Sequence, residues 1–126
     1  MSILRTIIRK YSKMADPARV VKFYDMLKYI HEPTKVIIDV RNPDEFKEGN
    51  IPTSKNIPVG VIREALSMTE EVFKKTYLNE KPLESAEIIF YCKSGRRATV
   101  ALEHALELGF SKSKVYIGSY DDWSTH

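Results

Sequence analysis

The chain has 126 residues, 43% hydrophobic and 29% charged, with five Gly, six Pro and one Cys. That suffices for one domain with one core, and one cysteine excludes both an internal disulfide framework and a Cys-based zinc cluster. His31, His104 and His126 are scattered with no second His or Cys at i+3 or i+4, and no run of about 18 apolar residues is present to span a membrane. Neither a metal, a cofactor nor a membrane span is expected.

The net charge of +3 is unevenly placed. Residues 1–14 contain Arg5, Arg9, Lys10 and Lys13 and no acid, whereas the rest of the chain carries 16 basic and 17 acidic residues. A near-neutral domain offers no general nucleic-acid surface, so no nucleic-acid partner is expected. Within 1–14, Ile3, Leu4, Ile7, Ile8 and Tyr11 recur at helical spacing, with the bases largely off that stripe. A basic, acid-free amphipathic segment with hydroxyl residues has the character of a mitochondrial transit peptide. Residues 1–14 are therefore expected to be a targeting segment, cut after Tyr11, and residues 15–126 the domain. The alternative is a basic tail on a protein of the cytoplasm.

In chain order, Asp16-Pro17 reads as the cap and first position of a helix. Val20, Phe23, Tyr24, Leu27 and Ile30 would form its apolar face. Lys35–Val40 is a β-branched run suited to a strand buried on both faces. Asp44 is expected to cap a helical turn containing Phe46, and the two Ile-Pro pairs between Ile51 and Pro58 read as extended loop. Val59–Leu66 and Thr69–Leu78 read as helices, the second capped by Thr69 with Glu70 and Glu71 in its first turn. Glu87–Tyr91 is a second strand, and Arg96–Leu108 a helix with Ala98, Ala101, Leu102, Ala105 and Leu106 on one face. Gly109 closes that helix, and Lys114–Ile117 is a third strand. Strands separated by helices predict an α/β fold, a central parallel sheet flanked by helices on both faces.

The chemistry converges on Cys92. It follows the strand Glu87–Tyr91 and precedes Lys93-Ser94-Gly95-Arg96-Arg97 and the most periodic helix. Ligand sites of parallel α/β sheets lie at the carboxyl ends of the strands. A loop from such an end into a helix turns several backbone N–H groups toward one point, and Gly95 frees the loop backbone to do so. The helix start and the cations Lys93, Arg96 and Arg97 favour thiolate over thiol. A nucleophilic sulfur in a pocket for a small anion is the result. The bland alternative, an inert buried cysteine, fits poorly with a position at a strand–loop border beside three cations.

The run Cys92-Lys93-Ser94-Gly95-Arg96-Arg97 resembles the C-x-x-G-x-R active loop of single-domain rhodaneses, the thiosulfate sulfurtransferase-like family, and is closest to its small fungal-type mitochondrial members. Ile38-Asp39-Val40-Arg41 with Glu45-Phe46 resembles the D-V-R…E-[FY] segment. Gly49-Asn50-Ile51-Pro52 and Asn56-Ile57-Pro58 resemble G-H-I-P-G-A-x-N-I-P. Gly118 to Trp123 resembles the closing G-G-x-x-x-W. Departures are Asn50 for His, Thr53 and Ser54 for Gly-Ala, and Ser119 for the second Gly, none of them in the sulfur-bearing loop.

The resemblance implies a rhodanese-like fold and a two-step transfer. Cys92 takes the outer sulfur of thiosulfate as a persulfide, and an acceptor such as cyanide, glutathione or a protein thiol removes it. By residue type, the N–H groups of Lys93 to Arg97, Ser94 and Gly95 among them, would stabilise the sulfur anions. Arg97 would grip the donor's sulfonate, and Lys93 and Arg96 would set the field at the mouth. Asp39 and Arg41 would order the loop or help hold the donor, with a purely structural ion pair as the alternative. Trp123 would wall the pocket or join the core. With no second cysteine, the acceptor thiol comes from outside. A sulfur-relay or binding module is the rival of another class. Cysteine-dependent phosphatases and arsenate reductases fit less well, because their C-x5-R loop puts Arg six positions after Cys, where this chain has Ala98. Their usual His before Cys is here Tyr91.

Overall fold

A computed structural model describes residues 16–126, and the proposed targeting segment at 1–14 lies outside them. Five strands form one sheet: β1 (Val20–Val21), β2 (Lys35–Asp39), β3 (Lys55–Asn56), β4 (Glu87–Tyr91) and β5 (Lys114–Tyr116). Their order is β1-β5-β4-β2-β3, and every pairing is parallel. The central pair aligns Lys35 with Glu87 through Asp39 with Tyr91. This register brings the carboxyl ends of β2 and β4 side by side.

Among the described residues six helices accompany the sheet: α1 (Phe23–Tyr29), α2 (Pro43–Glu48), α3 (Val59–Ser67), α4 (Glu70–Tyr77), α5 (Arg96–Glu107) and α6 (Ser119–Trp123). The period-two alternation of β4 divides the core between the sheet's two faces. Ile88 and Phe90 join Ile62, Ala65 and Leu66 of α3, Phe73 of α4, and Ala98, Ala101, Leu102 and Ala105 of α5. Ile89 and Tyr91 join Met26 of α1 and Tyr116, with Phe23, Tyr120 and Trp123 packed against them. Helices on both faces are as the pattern predicts. Cys92, two residues past Phe90, belongs to the α3–α5 side.

Most elements form where the sequence places them. Thr69 Oγ1 accepts from the Val72 N–H at 3.2 Å, and Gly109 follows α5 at φ +94°. The segment after Asp16 differs. Asp16 caps only a 3-10 turn, Pro17–Arg19, before Val20-Val21 pairs with Val115-Tyr116 as the edge strand β1. Two β-branched residues prefer that ladder to a helix interior. α1 then starts afresh, with the Asp25 carboxylate accepting the Lys22 N–H at 3.0 Å. The expected apolar face fails with it: Tyr24 and Leu27 are exposed, whereas Met26 is fully buried.

Two smaller corrections concern the site's neighbourhood. The cap position of α2 is Asn42, whose N–H is accepted by Glu45 at 3.1 Å, and Asp44 lies inside the first turn. The Ile-Pro stretch holds the two-residue strand β3, because Lys55 and Asn56 complete the outer edge of β2. Neither β1 nor β3 is long enough to leave a periodic signal.

Candidate active site

β4 ends at Tyr91, and the chain leaves the sheet through Cys92 into a short turn before α5. The turn closes because Gly95 adopts φ +102°. A Cβ there would lie 2.6 Å from the Ile117 carbonyl oxygen. No other residue fits that conformation and that space together.

The closed turn aims its amides at the sulfur. Cys92 Sγ accepts from the N–H of Gly95 at 3.0 Å and of Ala98 at 3.4 Å. The expected cradle from Lys93 to Arg97 thus narrows to Gly95 and gains Ala98, in the first turn of α5. Cys92 is 1% exposed, so a slim terminal atom reaches the sulfur more readily than a bulky centre. The loop is also held from behind, where Tyr120 and Asp121 of α6 donate their N–H groups to the carbonyls of Cys92 and Lys93, both at 2.9 Å. Ser119 Oγ accepts the Cys92 N–H at 3.1 Å.

Three arginines and a lysine surround the loop, and three of the four are already paired. Arg97 makes a two-pronged pair with Glu45 of α2, Nη1 to Oε1 at 2.7 Å and Nη2 to Oε2 at 3.1 Å. That guanidinium holds the Glu45 carboxyl well below the usual range, at about 2. Lys93 reaches Asp121 at 2.8 Å across exposed surface. Arg41 is locked to Asp39 through Nε and Nη2, gives Nη2 also to the Gly49 carbonyl at 2.6 Å, and lies 4.4 Å from the centre of the Tyr120 ring. Arg96 is exposed and has no side-chain partner among the described residues.

Arg41, Glu45, Gly49, Lys93, Tyr120 and Asp121 line one recess beside the loop, together with Glu48 and Ser124. A second recess, bounded by Val36, Phe46, Phe73 and Tyr77 at the β3 edge, includes no residue of the Cys92 loop.

The structure therefore gathers Cys92, Lys93, Ser94, Gly95, Arg96, Arg97, Asp39 and Arg41 at one end of the sheet. Trp123 stands apart, 5.4 Å from Phe23 between ring centres, against the core of the opposite face. Glu45, Asp121 and Tyr120 enter the site without having been singled out for it. Glu45 and Arg97 are 52 residues apart, and no local pattern joins them.

Residues 22–126 match the rhodanese-like domain family. The chain belongs to it. A Saccharomyces cerevisiae thiosulfate:glutathione sulfurtransferase is 35% identical over 91% of this chain and 84% of its own. A Schizosaccharomyces pombe protein, provisionally named a mitochondrial thiosulfate sulfurtransferase, is 46% identical over 74% of this chain and 66% of its own. Among solved structures, the human single-domain sulfurtransferase TSTD1 superposes with a TM-score of 0.81 at 30% identity, covering 85% of this chain and 96% of that one.

Within this rhodanese-like domain, two departures from the family pattern acquire a structural meaning. Thr53 and Ser119 stand where the pattern has glycine, and both take left-handed backbone angles, φ 68° and 56°. Glycine suits those angles, and other residues adopt them at some cost. Ser54, in place of alanine, is buried with its hydroxyl 2.8 Å from the Tyr91 hydroxyl and donating to the Ile51 carbonyl at 2.6 Å.

Proposed function

We propose that this chain is a thiosulfate sulfurtransferase working through a persulfide on Cys92. The carrying observation is the sulfur itself, held by two amides at the start of α5 within reach of an arginine-bearing loop. The Cys92 thiolate attacks the outer sulfur of thiosulfate. The sulfur–sulfur bond of the donor breaks, sulfite leaves with its electron pair, and the persulfide anion remains on Cys92. A thiol acceptor then takes the outer sulfur and returns Cys92 to thiolate. In both steps negative charge passes along the sulfurs, and fixed amides stabilise it without reorganisation.

Arg97 and Arg96 are the groups suited to the sulfonate, the first because its planar fork matches two oxygens. Glu45 occupies that fork at rest, so the donor displaces one carboxylate by another oxyanion of similar geometry. Arg41 is committed to Asp39 and Gly49, and its part is to fix the wall of the recess. Glutathione and other small thiols are the acceptor class, in line with the names of the yeast and human relatives. A protein thiol is the alternative acceptor. The basic segment 1–14 and the mitochondrial name of the fission-yeast relative support a place in the mitochondrion.

Intact mass measured before and after thiosulfate tests the reading. The wild type should gain one sulfur and lose it on addition of glutathione or cyanide, and Cys92→Ser should gain none. A folded, reduced wild type that gains no sulfur would overturn thiosulfate as donor. For localisation, deleting residues 1–11 should leave turnover intact and abolish import into isolated mitochondria. Import of the shortened chain would end the targeting claim.

A further inference from the structure

Ser119 is fully buried, at the corner where β5 turns into α6. Its hydroxyl oxygen accepts the Cys92 N–H at 3.1 Å, and its proton goes to the Tyr116 carbonyl at 2.8 Å. The same oxygen lies 3.8 Å from Cys92 Sγ. The backbone at this corner gives no reason for a serine, since φ is 56° and glycine would be less strained. What serine adds is a hydroxyl beside the reacting sulfur.

We infer that the Ser119 hydroxyl is a switchable third donor to Cys92 Sγ. This rests on the persulfide reading above. In the persulfide the negative charge is on the outer sulfur, and the serine proton stays on the Tyr116 carbonyl. When an acceptor RSH attacks, the outer sulfur departs as RSSH and the bonding pair collapses onto Sγ. Rotation about the Cβ–Oγ bond then turns the hydroxyl proton toward Sγ. The oxygen need not give up the Cys92 N–H, because only the proton moves. A hydrogen bond to an ionised acceptor is roughly twice as strong as one to a neutral carbonyl, so the proton follows the charge. Ser119 thereby favours departure of Cys92 as thiolate, which makes it a residue of the discharge step more than of the loading step.

The test uses Ser119→Gly and Ser119→Ala in the full-length protein. Both remove the hydroxyl, while Gly relieves the backbone and Ala does not. The two α6 amides that hold the loop carbonyls remain in either variant. Single-turnover discharge of preloaded persulfide by glutathione should fall about tenfold in both, with loading from thiosulfate at alkaline pH within about twofold of wild type. The pH midpoint for alkylation of Cys92 by iodoacetamide should rise by about one unit, the same factor of ten. The charged groups around the sulfur, Arg97 with Glu45, Lys93 with Asp121, Arg41 with Asp39, and Arg96, are unchanged in both variants, so that shift reads the hydroxyl. Melting temperature should separate the pair, Gly above Ala, while their rates agree. Rates that follow stability, or discharge at the wild-type rate in Ser119→Gly, would overturn the inference. A wild type that never loads from thiosulfate fails the underlying reading instead, and the alkylation midpoint still tests the hydroxyl.

Discussion

Two arginine–carboxylate pairs stand at the same end of the sheet, and solvent exposure separates them. In Asp39–Arg41 the side chains are 0% and 5% exposed, and the arginine is held by Asp39, the Gly49 carbonyl and the Tyr120 face. In Glu45–Arg97 they are 26% and 31% exposed, and Glu45 lines the open recess. A buried charge without its partner is costly, whereas a partly solvated one is screened. The first pair therefore builds the wall, and the second can open to exchange partners. On that difference the proposed grip on the donor falls to the second pair, and a structural part to the first.

The largest effect expected from this contrast is on folding. Asp39→Ala leaves the Arg41 charge buried, and the cost should be about 3–5 kcal/mol, a fall in melting temperature of roughly 10 to 20 °C. Replacing both partners, Asp39→Leu with Arg41→Met, should recover much of that loss. A single variant that melts within 2–3 °C of wild type, about 1 kcal/mol or less, would erase the distinction between the pairs.

Arg97→Ala should act on substrate instead. Thiosulfate KM should rise about tenfold, or 1.4 kcal/mol, with little change in melting temperature, since solvent-accessible pairs contribute about 0–1 kcal/mol. Arg97→Lys keeps the charge but not the fork and should recover only part of the affinity. An unchanged KM removes Arg97 from donor binding.

The smallest effect is on pH dependence. The Glu45 carboxyl is depressed to about 2 in the folded protein, from 4.5, chiefly by its hydrogen bonds from Arg97. A depressed carboxyl stabilises the fold above its unfolded value and loses that contribution as pH falls through the folded value. Thermal melts of wild type and Glu45→Gln should therefore differ above about pH 4.5 and converge towards pH 2. A constant separation across that range would show that Glu45 acts by shape alone.

Much of the fold is legible because its signals are local. β2 and β4 announce themselves as β-branched runs, and α5 by its alanine and leucine face, since each buries enough apolar surface to impose a period. Val20-Val21 and Lys55-Asn56 do not, because a two-residue strand exists only by virtue of the longer strand beside it. The 3-10 turn and broken helix after Asp16 follow from the same cause: β5 captures Val20-Val21 against the helical spacing of their neighbours.

The amino-acid sequence alone determined the candidate nucleophile and the shape of its loop: Cys92 after a buried strand, Gly95 where the turn must close, and basic residues leading into a helix. Those features are contiguous, so geometry follows from order along the chain. Tertiary structure decided which amides face the sulfur, which cations are spoken for and what lies behind the loop. Gly95 and Ala98 instead of the whole run Lys93 to Arg97, Glu45 on Arg97, Asp121 on Lys93 and Ser119 on the Cys92 N–H are all of this kind. The last three join residues 27 to 52 positions apart. Pairing at that range depends on how β2, β4 and β5 are ordered in the sheet, and strand order leaves no imprint on any one stretch of sequence.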